Sequence, residues 1–446
     1  MTSLSTPVQP ATQTFDATSV ATRVRQAQRR FGAATASQRT AVLNTLSTLL
    51  DARRNHILEA NQRDLDTAET GGLELPLRKR LRLDHAKLDV LRAGVDQLAA
   101  LADPVGRTLR RTLLDDGLEL RQVQSPLGVL LIIFESRPDA VIQIGSLALR
   151  AGDAVILKGG SEARHSNRVL VDCLRDALAA HDLPIETVVG VEERSSISAL
   201  LDQDQHIDLV IPRGSGELVR TIQNSTRIPV LGHAEGVCHL YVDRDADRAM
   251  AVRLTIDGKC DYPAACNATE TVLVHRDFLP HLAGMCHTLR EAGIDLRCDT
   301  ESRAVAPWAE PATEEDWRKE YGDLTLSIRV VDDLDQAIEH IHQHGSAHTD
   351  AIVTKNQATG EAFLARVDSA SVFWNASTRF ADGFRYGLGA EVGIATGRIH
   401  ARGPVGIDGL LTTRWLLHGH GQTAGAYGPG KQSFLHRSLP LEEDDS

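Results

Sequence analysis

Short apolar runs separated by helical stretches constrain the fold of this chain more than any other feature. The runs are rich in Val, Ile and Leu, which is typical of parallel strands buried on both sides. They fall into two series: residues 129–134, 154–158, 187–189, 209–211 and 239–242, and then residues 271–274, 327–331, 351–354 and 371–374. The pattern predicts an α/β protein built from two similar parallel-sheet units.

Other periodicities occur before and after these runs. Over residues 17–102 apolar residues recur at helical spacing, as at Val20 and Val24, and this predicts a helical N-terminal region. Residues 117–123 alternate between apolar and polar side chains, which indicates an exposed strand in a hairpin arm. A strand-like run at 410–413 lies in the glycine-rich C-terminal region.

Size and charge limit the classes of protein that fit. With 446 residues the chain exceeds the size at which one hydrophobic core stops growing, so more than one domain is expected. A net charge of −12 argues against nucleic acid or an anionic membrane surface as the main partner. No segment approaches the roughly 20 apolar residues of a membrane span, and residues 1–16 resemble no targeting signal. We therefore expect a cytoplasmic protein with a disordered tail at 1–16.

One of the six cysteines stands out from the others. They form no C-x-x-C pair, and in a chain of this kind a disulfide framework is not expected, so most should be small buried residues. Cys266, however, lies in the small-residue loop Pro-Ala-Ala-Cys-Asn-Ala-Thr-Glu-Thr at 263–271, directly before a predicted strand. A thiolate there can act as a nucleophile, with a backbone N–H and the side chain of Asn267 facing the group that it attacks.

Two glycine-containing loops follow strands of the first series. Lys158-Gly159-Gly160-Ser161 follows the second strand, and Arg213-Gly214-Ser215-Gly216 follows the fourth strand and opens a helix. Loops at the carboxyl ends of parallel strands bind dinucleotides, and N–H groups at a helix N-terminus bind phosphate. Each loop alone is equally compatible with an ordinary turn, but the pair favours a nucleotide site. The G-x-G-x-x-G fingerprint is absent, so the binding mode differs from the ordinary Rossmann mode.

Two further segments carry charged or metal-ligating side chains. Arg137, after the first strand, suits phosphate or carboxylate binding, and a surface salt bridge is the competing interpretation. The histidines at 340, 342, 344 and 348 invite a zinc interpretation. However, His342 lies on the opposite side of the predicted helix from His340 and His344, and no fourth ligand is evident. We expect no metal site.

Taken together, these segments resemble the gamma-glutamyl phosphate reductase family of the aldehyde dehydrogenase superfamily over residues 17–417. The motifs that carry the resemblance occur in the family's order at residues 126–129, 135–138, 154–163, 211–214, 266–271, 331–352, 389–394 and 400–406. The resemblance implies an aldehyde dehydrogenase-like α/β fold with two Rossmann-like domains and a β-arm for oligomerisation.

The resemblance also divides the chain into domains. Residues 17–111 and 131–258 are expected to form an NADPH-binding domain, and residues 259–397 a catalytic domain. Residues 112–130 and 398–436 are expected to form the oligomerisation arm, and residues 437–446 an acidic tail. The family implies a homodimer or homotetramer, and association with a glutamate kinase is a further partner to consider.

The activity implied by the resemblance is NADPH-dependent reduction of L-glutamyl 5-phosphate to L-glutamate 5-semialdehyde and phosphate, the second step of proline synthesis from glutamate. In this interpretation Cys266 attacks the acyl phosphate and forms a thioester, which is then reduced. Substrate or phosphate contacts carry over to Arg137, Asn267, His348 and Thr349. Cofactor contacts carry over to Lys158, Ser161 and Glu162 near the adenosine ribose, Gly214 and Ser215 near the pyrophosphate, and Glu320 near the nicotinamide ribose.

Three alternatives stay open at this point. Another aldehyde dehydrogenase, hydrolytic or coenzyme A-acylating, would use the same scaffold, but hydrolysis needs a water-activating Glu and the alignment places His233 there rather than Glu235. A cysteine hydrolase would need a histidine within reach of the sulfur and would leave the glycine loops unexplained. A non-enzymatic metal-binding protein would bind its metal through the histidines at 340, 342, 344 and 348. Within the leading interpretation, Glu162 is an unfavourable neighbour for the 2′-phosphate of NADPH.

Overall fold

The computed structural model describes residues 15–193, 196–388 and 390–441. Residues 1–14 and 442–446, which belong to the two predicted tails, lie outside the described residues, as does Gly389 of the 389–394 motif. The described α-helices are α1 (Ala17–Phe31), α2 (Ala36–Ala52), α3 (Arg54–Thr70), α4 (Leu75–Leu81), α5 (His85–Ala100), α6 (Asp139–Ala151), α7 (Arg164–Ala179), α8 (Ser196–Leu201), α9 (Gly216–Ser225), α10 (Arg248–Cys260), α11 (Leu279–Glu291), α12 (Thr300–Val305), α13 (Leu334–His344) and α14 (Gln357–Arg366). The described β-strands are β1 (Thr108–Asp115), β2 (Leu118–Pro126), β3 (Val129–Phe134), β4 (Ala154–Gly159), β5 (Val188–Val191), β6 (Leu209–Arg213), β7 (Cys238–Val242), β8 (Thr269–His275), β9 (Asp295–Cys298), β10 (Glu310–Pro311), β11 (Thr325–Val331), β12 (Thr349–Val353), β13 (Ser371–Trp374), β14 (Gly393–Ala395), β15 (Gly403–Val405), β16 (Leu411–His418) and β17 (Arg437–Ser438).

The N-terminal region is helical, as its periodicity predicts, and side-chain caps fix where the helices start. Asp16 accepts a hydrogen bond from the Ser19 N–H at the start of α1, and Thr35 and Gln38 form a reciprocal capping box at the start of α2. The apolar face of α1, including Val24, is buried against the first parallel sheet. Neither these helices nor any other in the described part of the chain is long and apolar enough to cross a membrane.

The first parallel sheet has the strand order β5-β4-β3-β6. Its central strand β3 is buried on both faces: Leu130 and Ile132 belong to one apolar core, whereas Leu131 and Ile133 belong to the core on the other face. Because both faces are covered, the strand needs no polar positions, and it therefore appears in the sequence as a continuous apolar run. The loops after β3, β4 and β6 lie at one edge of this sheet, where ligands of open α/β sheets bind.

The second parallel sheet has the strand order β10-β9-β11-β8-β7-β12-β13. Strand β7 pairs with β8 and β12 in this sheet, although the sequence pattern grouped residues 239–242 with the first series. The second sheet therefore begins at Cys238, on the N-terminal side of the predicted domain boundary between 258 and 259, and the division of the chain into domains stays a prediction. The physical reason for the difference in grouping is that a strand buried on both faces looks the same in either sheet, and only its distant pairing partners distinguish the two.

The chain passes from the first sheet to the second through residues 226–237. The Val210 N–H donates to the Pro229 carbonyl and the Leu231 N–H donates to the Val210 carbonyl, both at 2.9 Å, so this crossing segment starts along the edge of β6. It ends where β7 begins, and it carries His233 and Gly236 between the two sheets.

Parts of the segments predicted to form an arm belong to a four-stranded antiparallel sheet with the order β16-β2-β1-β17. Its strand β17 lies in the predicted acidic tail, and β15 of the segment 398–436 pairs instead with β14. Strands β1 and β2 form a hairpin whose turn contains Gly117 at φ +70°, a backbone conformation that favours glycine. On the edge strand β16, Trp415 and Leu417 are 51% and 58% exposed. The role of this sheet in oligomerisation stays a prediction.

Candidate active site

Cys266 lies in the loop between α10 and β8, where the two sheet units meet. The loop is held by backbone hydrogen bonds from Ala265 to the Tyr262 carbonyl (3.1 Å) and from Ala268 to the Ala265 carbonyl (2.9 Å). The Cys266 side chain is partly exposed and lines a cleft of about 490 Å³. Apart from Cys260, the other cysteines are buried, so Cys266 is a thiol that a ligand in the cleft can reach.

A second thiol lies directly behind Cys266. The Cys238 S–H donates to the Cys266 carbonyl oxygen at 3.3 Å. Burial raises the pKa of the Cys238 thiol well above its usual value, so this group stays protonated. Of the two adjacent cysteines, Cys266 is therefore the one suited to act as a nucleophile.

Gly236 connects the Cys266 loop to Glu320. The Gly236 N–H donates to Glu320 Oε2 at 2.7 Å, and Glu320 also lines the cleft. A Cβ added to Gly236 would lie 2.0 Å from the Cys266 carbonyl oxygen, so a larger residue does not fit between the two segments. The sequence prediction missed Gly236, because its contacts join positions that are distant in the chain and no local pattern marks them.

Two imidazoles lie next to Cys266. A ring nitrogen of His233, a ring nitrogen of His348 and Cys266 Sγ all lie within 4.8 Å of one another. The two rings meet edge to face, with centroids 4.8 Å apart. Burial lowers the pKa of His233, so its ring is neutral at physiological pH. Glu235 is exposed and pairs with Arg220, which leaves His233 rather than Glu235 on the cleft wall.

Three residues predicted to contact substrate or phosphate are buried. His348 and Thr349 are fully buried, and His348 Nδ1 is 2.8 Å from Thr349 Oγ1. Asn267 lines the cleft, but its Nδ2 group donates to the Ala381 carbonyl at 2.8 Å. This hydrogen bond fixes the segment that forms one wall of the cleft, and substrate contact by these side chains stays a prediction.

Arginine side chains give the cleft a positively charged region. Arg80, Arg137 and Arg213 line it. Burial and the neighbouring Arg213 both lower the pKa of Arg137, which reflects two guanidinium groups close together. Within the described residues, neither Arg137 nor Arg213 has a carboxylate at ion-pair distance. No ion pair there supports the competing interpretation of Arg137 as part of a salt bridge. Two like charges without a counter-ion favour the binding of an anion.

A buried ion pair supports the Cys266 loop. Lys259 Nζ lies 2.6 Å from Glu270 Oε2, and both side chains are 0% exposed. Burial raises the pKa of the Glu270 carboxyl, and the neighbouring Lys259 charge opposes this effect. The pair joins the end of α10 to the start of β8, the two elements that flank the loop. Sequence reasoning missed it because a Lys and a Glu eleven residues apart carry no local signal.

The residues predicted to bind a cofactor are distributed over two cavities. Ser161 lines a cavity of about 560 Å³ at the carboxyl ends of the first sheet, together with Arg164 and Arg175. Gly214, Ser215 and Glu320 line the cleft that contains Cys266. A concave site at this edge of a parallel sheet, with the glycine-rich loop after β4 in its wall, fits a dinucleotide.

The remaining two predicted cofactor residues face inward. The Glu162 carboxylate accepts hydrogen bonds from the Ser136 N–H at 2.6 Å and from Ser136 Oγ at 2.9 Å, so it is turned towards the loop after β3. Lys158 is buried, and its ammonium donates to the Gly159 carbonyl at 2.6 Å. Both side chains hold the loops that border the cavity.

One histidine of α13, His340, lies against a cation. The His340 ring is 3.0 Å from the Arg329 guanidinium through Nδ1, and burial together with His239 lowers its pKa to about 2. His340 Nε2 is buried without a hydrogen-bond partner, and His342 Nε2 accepts from the Asp368 N–H at 3.2 Å. Of the histidines considered in the sequence, His348 alone reaches the Cys266 region.

This combination of two parallel-sheet units and a thiol at their junction defines a class of protein. Residues 5–292 match the model of the Aldehyde dehydrogenase family. The chain is 47% identical over 421 residues to gamma-glutamyl phosphate reductase of Acetivibrio thermocellus, with 94% of this chain and 97% of that protein covered. It is 50% identical over 422 residues to the protein of the same name in a Synechococcus strain, with 94% and 96% covered. The chain belongs to the aldehyde dehydrogenase family.

Comparison with solved structures shows to which group within this family the chain is similar. The crystal structure of gamma-glutamyl phosphate reductase from Thermotoga maritima matches with a TM-score of 0.89 at 36% sequence identity, covering 91% of this chain and 99% of that chain. An acetylating aldehyde dehydrogenase from Geobacillus thermoglucosidasius matches at 15% identity with a TM-score of 0.65, covering 91% and 97%, a likeness of fold alone. Within the family, the chain therefore groups with the gamma-glutamyl phosphate reductases, which are oxidoreductases of the aldehyde dehydrogenase type.

Proposed function

We propose that this chain reduces L-glutamyl 5-phosphate to L-glutamate 5-semialdehyde and phosphate, in proline biosynthesis, with Cys266 as the nucleophile. The observation that carries the proposal is one cleft that combines a partly exposed thiol with Arg137 and Arg213, which have no acidic partner in the described parts of the chain. An acyl phosphate matches such a cleft in two ways. Its acyl carbon is an electrophile that the sulfur can attack, and its phosphate is an anionic leaving group that the guanidinium groups can bind.

In the first half of the reaction the acyl group moves to the protein. The Cys266 thiolate attacks the acyl carbon, a carbon–sulfur bond forms, and the carbon–oxygen bond to phosphate breaks with its electron pair leaving on the phosphate. The backbone N–H of Cys266 stabilises the negative charge on the carbonyl oxygen. Arg137 and Arg213 hold the phosphate as its charge develops, because a guanidinium binds phosphate through two parallel hydrogen bonds.

In the second half the Cys266 thioester is reduced. When bound, the reduced nicotinamide cofactor of this family supplies the hydride. The protein holds the thioester carbonyl in the cleft, and the resulting thiohemiacetal collapses with departure of the Cys266 thiolate and release of the aldehyde. Glu320, whose carboxylate is fixed by the Gly236 N–H at 2.7 Å, is placed to hold the nicotinamide ribose.

The aldehyde dehydrogenase family uses a nicotinamide cofactor, and we assign NADPH as the form used by this chain. Arg164 and Arg175 put positive charge on the wall of the cavity that contains Ser161, which suits a 2′-phosphate. The carboxylate of Glu162, unfavourable next to such a phosphate, is engaged by Ser136 instead. NADH lacks the 2′-phosphate and would therefore leave the two arginines without this binding partner.

Phosphate rather than water is the second reactant in the reverse direction. In hydrolytic relatives a Glu activates the water that cleaves the thioester, whereas here Glu235 pairs with Arg220 at the surface. The arginines of the cleft instead suit an incoming phosphate. Coenzyme A-acylating and hydrolytic activities are therefore alternatives that the dependence on phosphate distinguishes.

The test runs the reaction backwards on the purified full-length protein. NADP⁺ should be reduced when both glutamate 5-semialdehyde and inorganic phosphate are present, and omission of phosphate should abolish turnover. Cys266→Ser should remove activity and leave NADPH binding intact, with Cys260→Ser as the matched control because Cys260 is the other partly exposed thiol. Turnover without phosphate would reject the proposed reaction, and an active Cys266→Ser variant would reject the nucleophile.

We also propose that the antiparallel sheet mediates association of this chain with itself as a homodimer or homotetramer. The support is the edge strand β16, which exposes Trp415 and Leu417. An apolar edge strand of this kind is normally covered by another element or subunit. Light scattering coupled to size-exclusion chromatography measures the mass, and a monomer would contradict the proposal.

A further inference from the structure

We infer that Cys266, His233 and His348 form a binding site for a thiophilic divalent cation, for which Zn²⁺ is the best-suited ion. Such a site would mask the sulfur reversibly. The effect on activity rests on the proposed role of Cys266 as nucleophile, whereas the existence of the site rests on geometry and ligand chemistry alone.

The donor set matches zinc. One sulfur and two imidazole nitrogens lie within 4.8 Å of one another, and sulfur and imidazole nitrogen are the ligands that Zn²⁺ prefers. Metal–ligand bonds of about 2.0–2.3 Å in a tetrahedron require ligand separations of roughly 3.5 Å. The three side chains must therefore close by about 1 Å, which the partly exposed Cys266 and His233 can do by rotation. The three donors leave one tetrahedral position for water or an anion in the cleft.

Hydrogen bonds engage one ring nitrogen of each histidine and leave the other free to bind a metal. His233 Nδ1 is 2.7 Å from the Ile394 carbonyl oxygen, and because a carbonyl oxygen can only accept, Nδ1 carries the proton and Nε2 has the free lone pair. His348 Nδ1 is 2.8 Å from Thr349 Oγ1, and its Nε2 is buried without a hydrogen-bond partner. Histidine ligands of metals usually donate through one nitrogen to a carbonyl or hydroxyl group while the other binds the metal.

The unpartnered Nε2 of His348 is the second, independent sign of a ligand. A buried polar atom without a partner is costly, and His348 is fully buried. A cation bound by Cys266 and His233 would satisfy this nitrogen. The cluster contains no carboxylate, so Mg²⁺ and Ca²⁺ lack the oxygen ligands that they require.

Coordination has a direct chemical consequence. The lone pair of the Cys266 sulfur that would form the bond to an acyl carbon is donated to the metal instead. The cation therefore competes with acylation and alkylation of Cys266, and removal of the metal restores the free thiolate. No covalent modification of the protein is involved.

The experiment measures metal binding separately from activity. Purified, reduced, metal-free full-length protein is titrated with Zn²⁺ against a chromophoric chelator, and one equivalent is expected to bind. The Co²⁺ complex should show a thiolate-to-cobalt charge-transfer band. Iodoacetamide labelling of Cys266, read by peptide mass spectrometry, should fall in proportion to the zinc bound and recover with EDTA, whereas Mg²⁺ in excess should have no effect.

Variants locate the ligands. Cys266→Ser should lose the charge-transfer band and bind zinc at least roughly 100-fold more weakly, and His233→Asn and His348→Gln should each weaken binding by about 10–100-fold or more. Cys260→Ser should bind like the wild type. His233 is partly exposed, so its variant tests the site even where a change at the buried His348 prevents folding.

The outcomes separate this inference from the proposed reaction. Equal zinc affinity in Cys266→Ser and wild type, or a cobalt complex without the charge-transfer band, overturns the site. Zinc bound through Cys266 with unchanged reductase activity retains the site and instead refutes Cys266 as the nucleophile.

Discussion

Replacing Gly236 with alanine tests whether the crossing segment sets the position of the nucleophile. The Gly236 Cα packs against the backbone of Cys266, and a Cβ there would lie 2.0 Å from the carbonyl oxygen and 2.6 Å from the carbonyl carbon. Because a Cβ essentially never lies closer than 3.0 Å to another heavy atom, the 2.0 Å contact with the oxygen requires one of the two segments to move by at least about 1 Å. Because the Gly236 N–H also holds Glu320, the shift moves the proposed nucleophile and the proposed ribose-binding carboxylate relative to each other.

This displacement is large on the scale of catalysis. A misplacement of about 1 Å can lower a rate by about 100-fold, which corresponds to roughly 2.7 kcal/mol of transition-state stabilisation. We therefore expect kcat/KM of Gly236→Ala to fall by about two orders of magnitude in the phosphate-dependent reduction of NADP⁺. Thermal unfolding should stay cooperative, because the change adds one methyl group at the junction of the two sheets and leaves both apolar cores untouched.

The matched control is Gly284→Ala. Gly284 lies in α11, where an added Cβ meets nothing within 4 Å, so this change should leave kcat/KM unaltered and stabilise the helix by up to about 1 kcal/mol. Steady-state kinetics and differential scanning calorimetry on both variants measure the two effects. A folded Gly236→Ala protein with activity within a factor of two of wild type would show that the contact does not position Cys266.

Four further variants probe separate features. Lys259→Met removes the partner of the fully buried Glu270 and should lower the free energy of unfolding by about 3–5 kcal/mol in urea titrations, and an unchanged midpoint would contradict a structural role for the pair. Arg137→Lys keeps the charge but loses the bidentate fork, so KM for phosphate in the reverse reaction should rise about tenfold, or roughly 1.4 kcal/mol, with kcat for saturating phosphate less affected. Arg164→Gln should lower kcat/KM for NADPH by about tenfold without lowering that for NADH, and an equal loss with both cofactors would place the 2′-phosphate elsewhere. Trp415→Glu should reduce the mass measured by light scattering while the unfolding transition stays cooperative.

The parts of the fold that the sequence predicts are those fixed by burial alone. The run at 129–134 coincides with β3, because a strand covered on both faces is apolar throughout. The run at 327–331, which includes Ser327 and Arg329, lies within β11. The sheet to which β7 belongs could not be predicted, because pairing of Cys238 and Tyr241 with distant strands leaves no trace in the local pattern. Burial determines which residues form strands, and long-range packing determines which strands are neighbours.

The candidate site shows the same difference between features with a local sequence signal and features that depend on long-range packing. Cys266 is marked locally by its loop of small residues, and the structure puts it in a cleft. The approach of His233 to His348 and the fit of Gly236 against the Cys266 backbone depend on how the crossing segment packs, and single residues at these positions have no distinguishing local context.

The crossing segment links the proposed cofactor-binding and nucleophile positions in this chain. Residues 226–237 leave the edge of β6 in the first sheet and enter β7 in the second, so they touch the loop after β6 on one side and the Cys266 loop on the other. Gly236 lies in this segment and contacts both Glu320 and Cys266. A change in the relative position of the two sheets therefore moves the proposed ribose-binding carboxylate and the proposed nucleophile through one shared element. Because a hydride can be delivered only to a thioester in the correct place, we expect a displacement at Gly236 to slow the proposed hydride transfer as well as to move the sulfur.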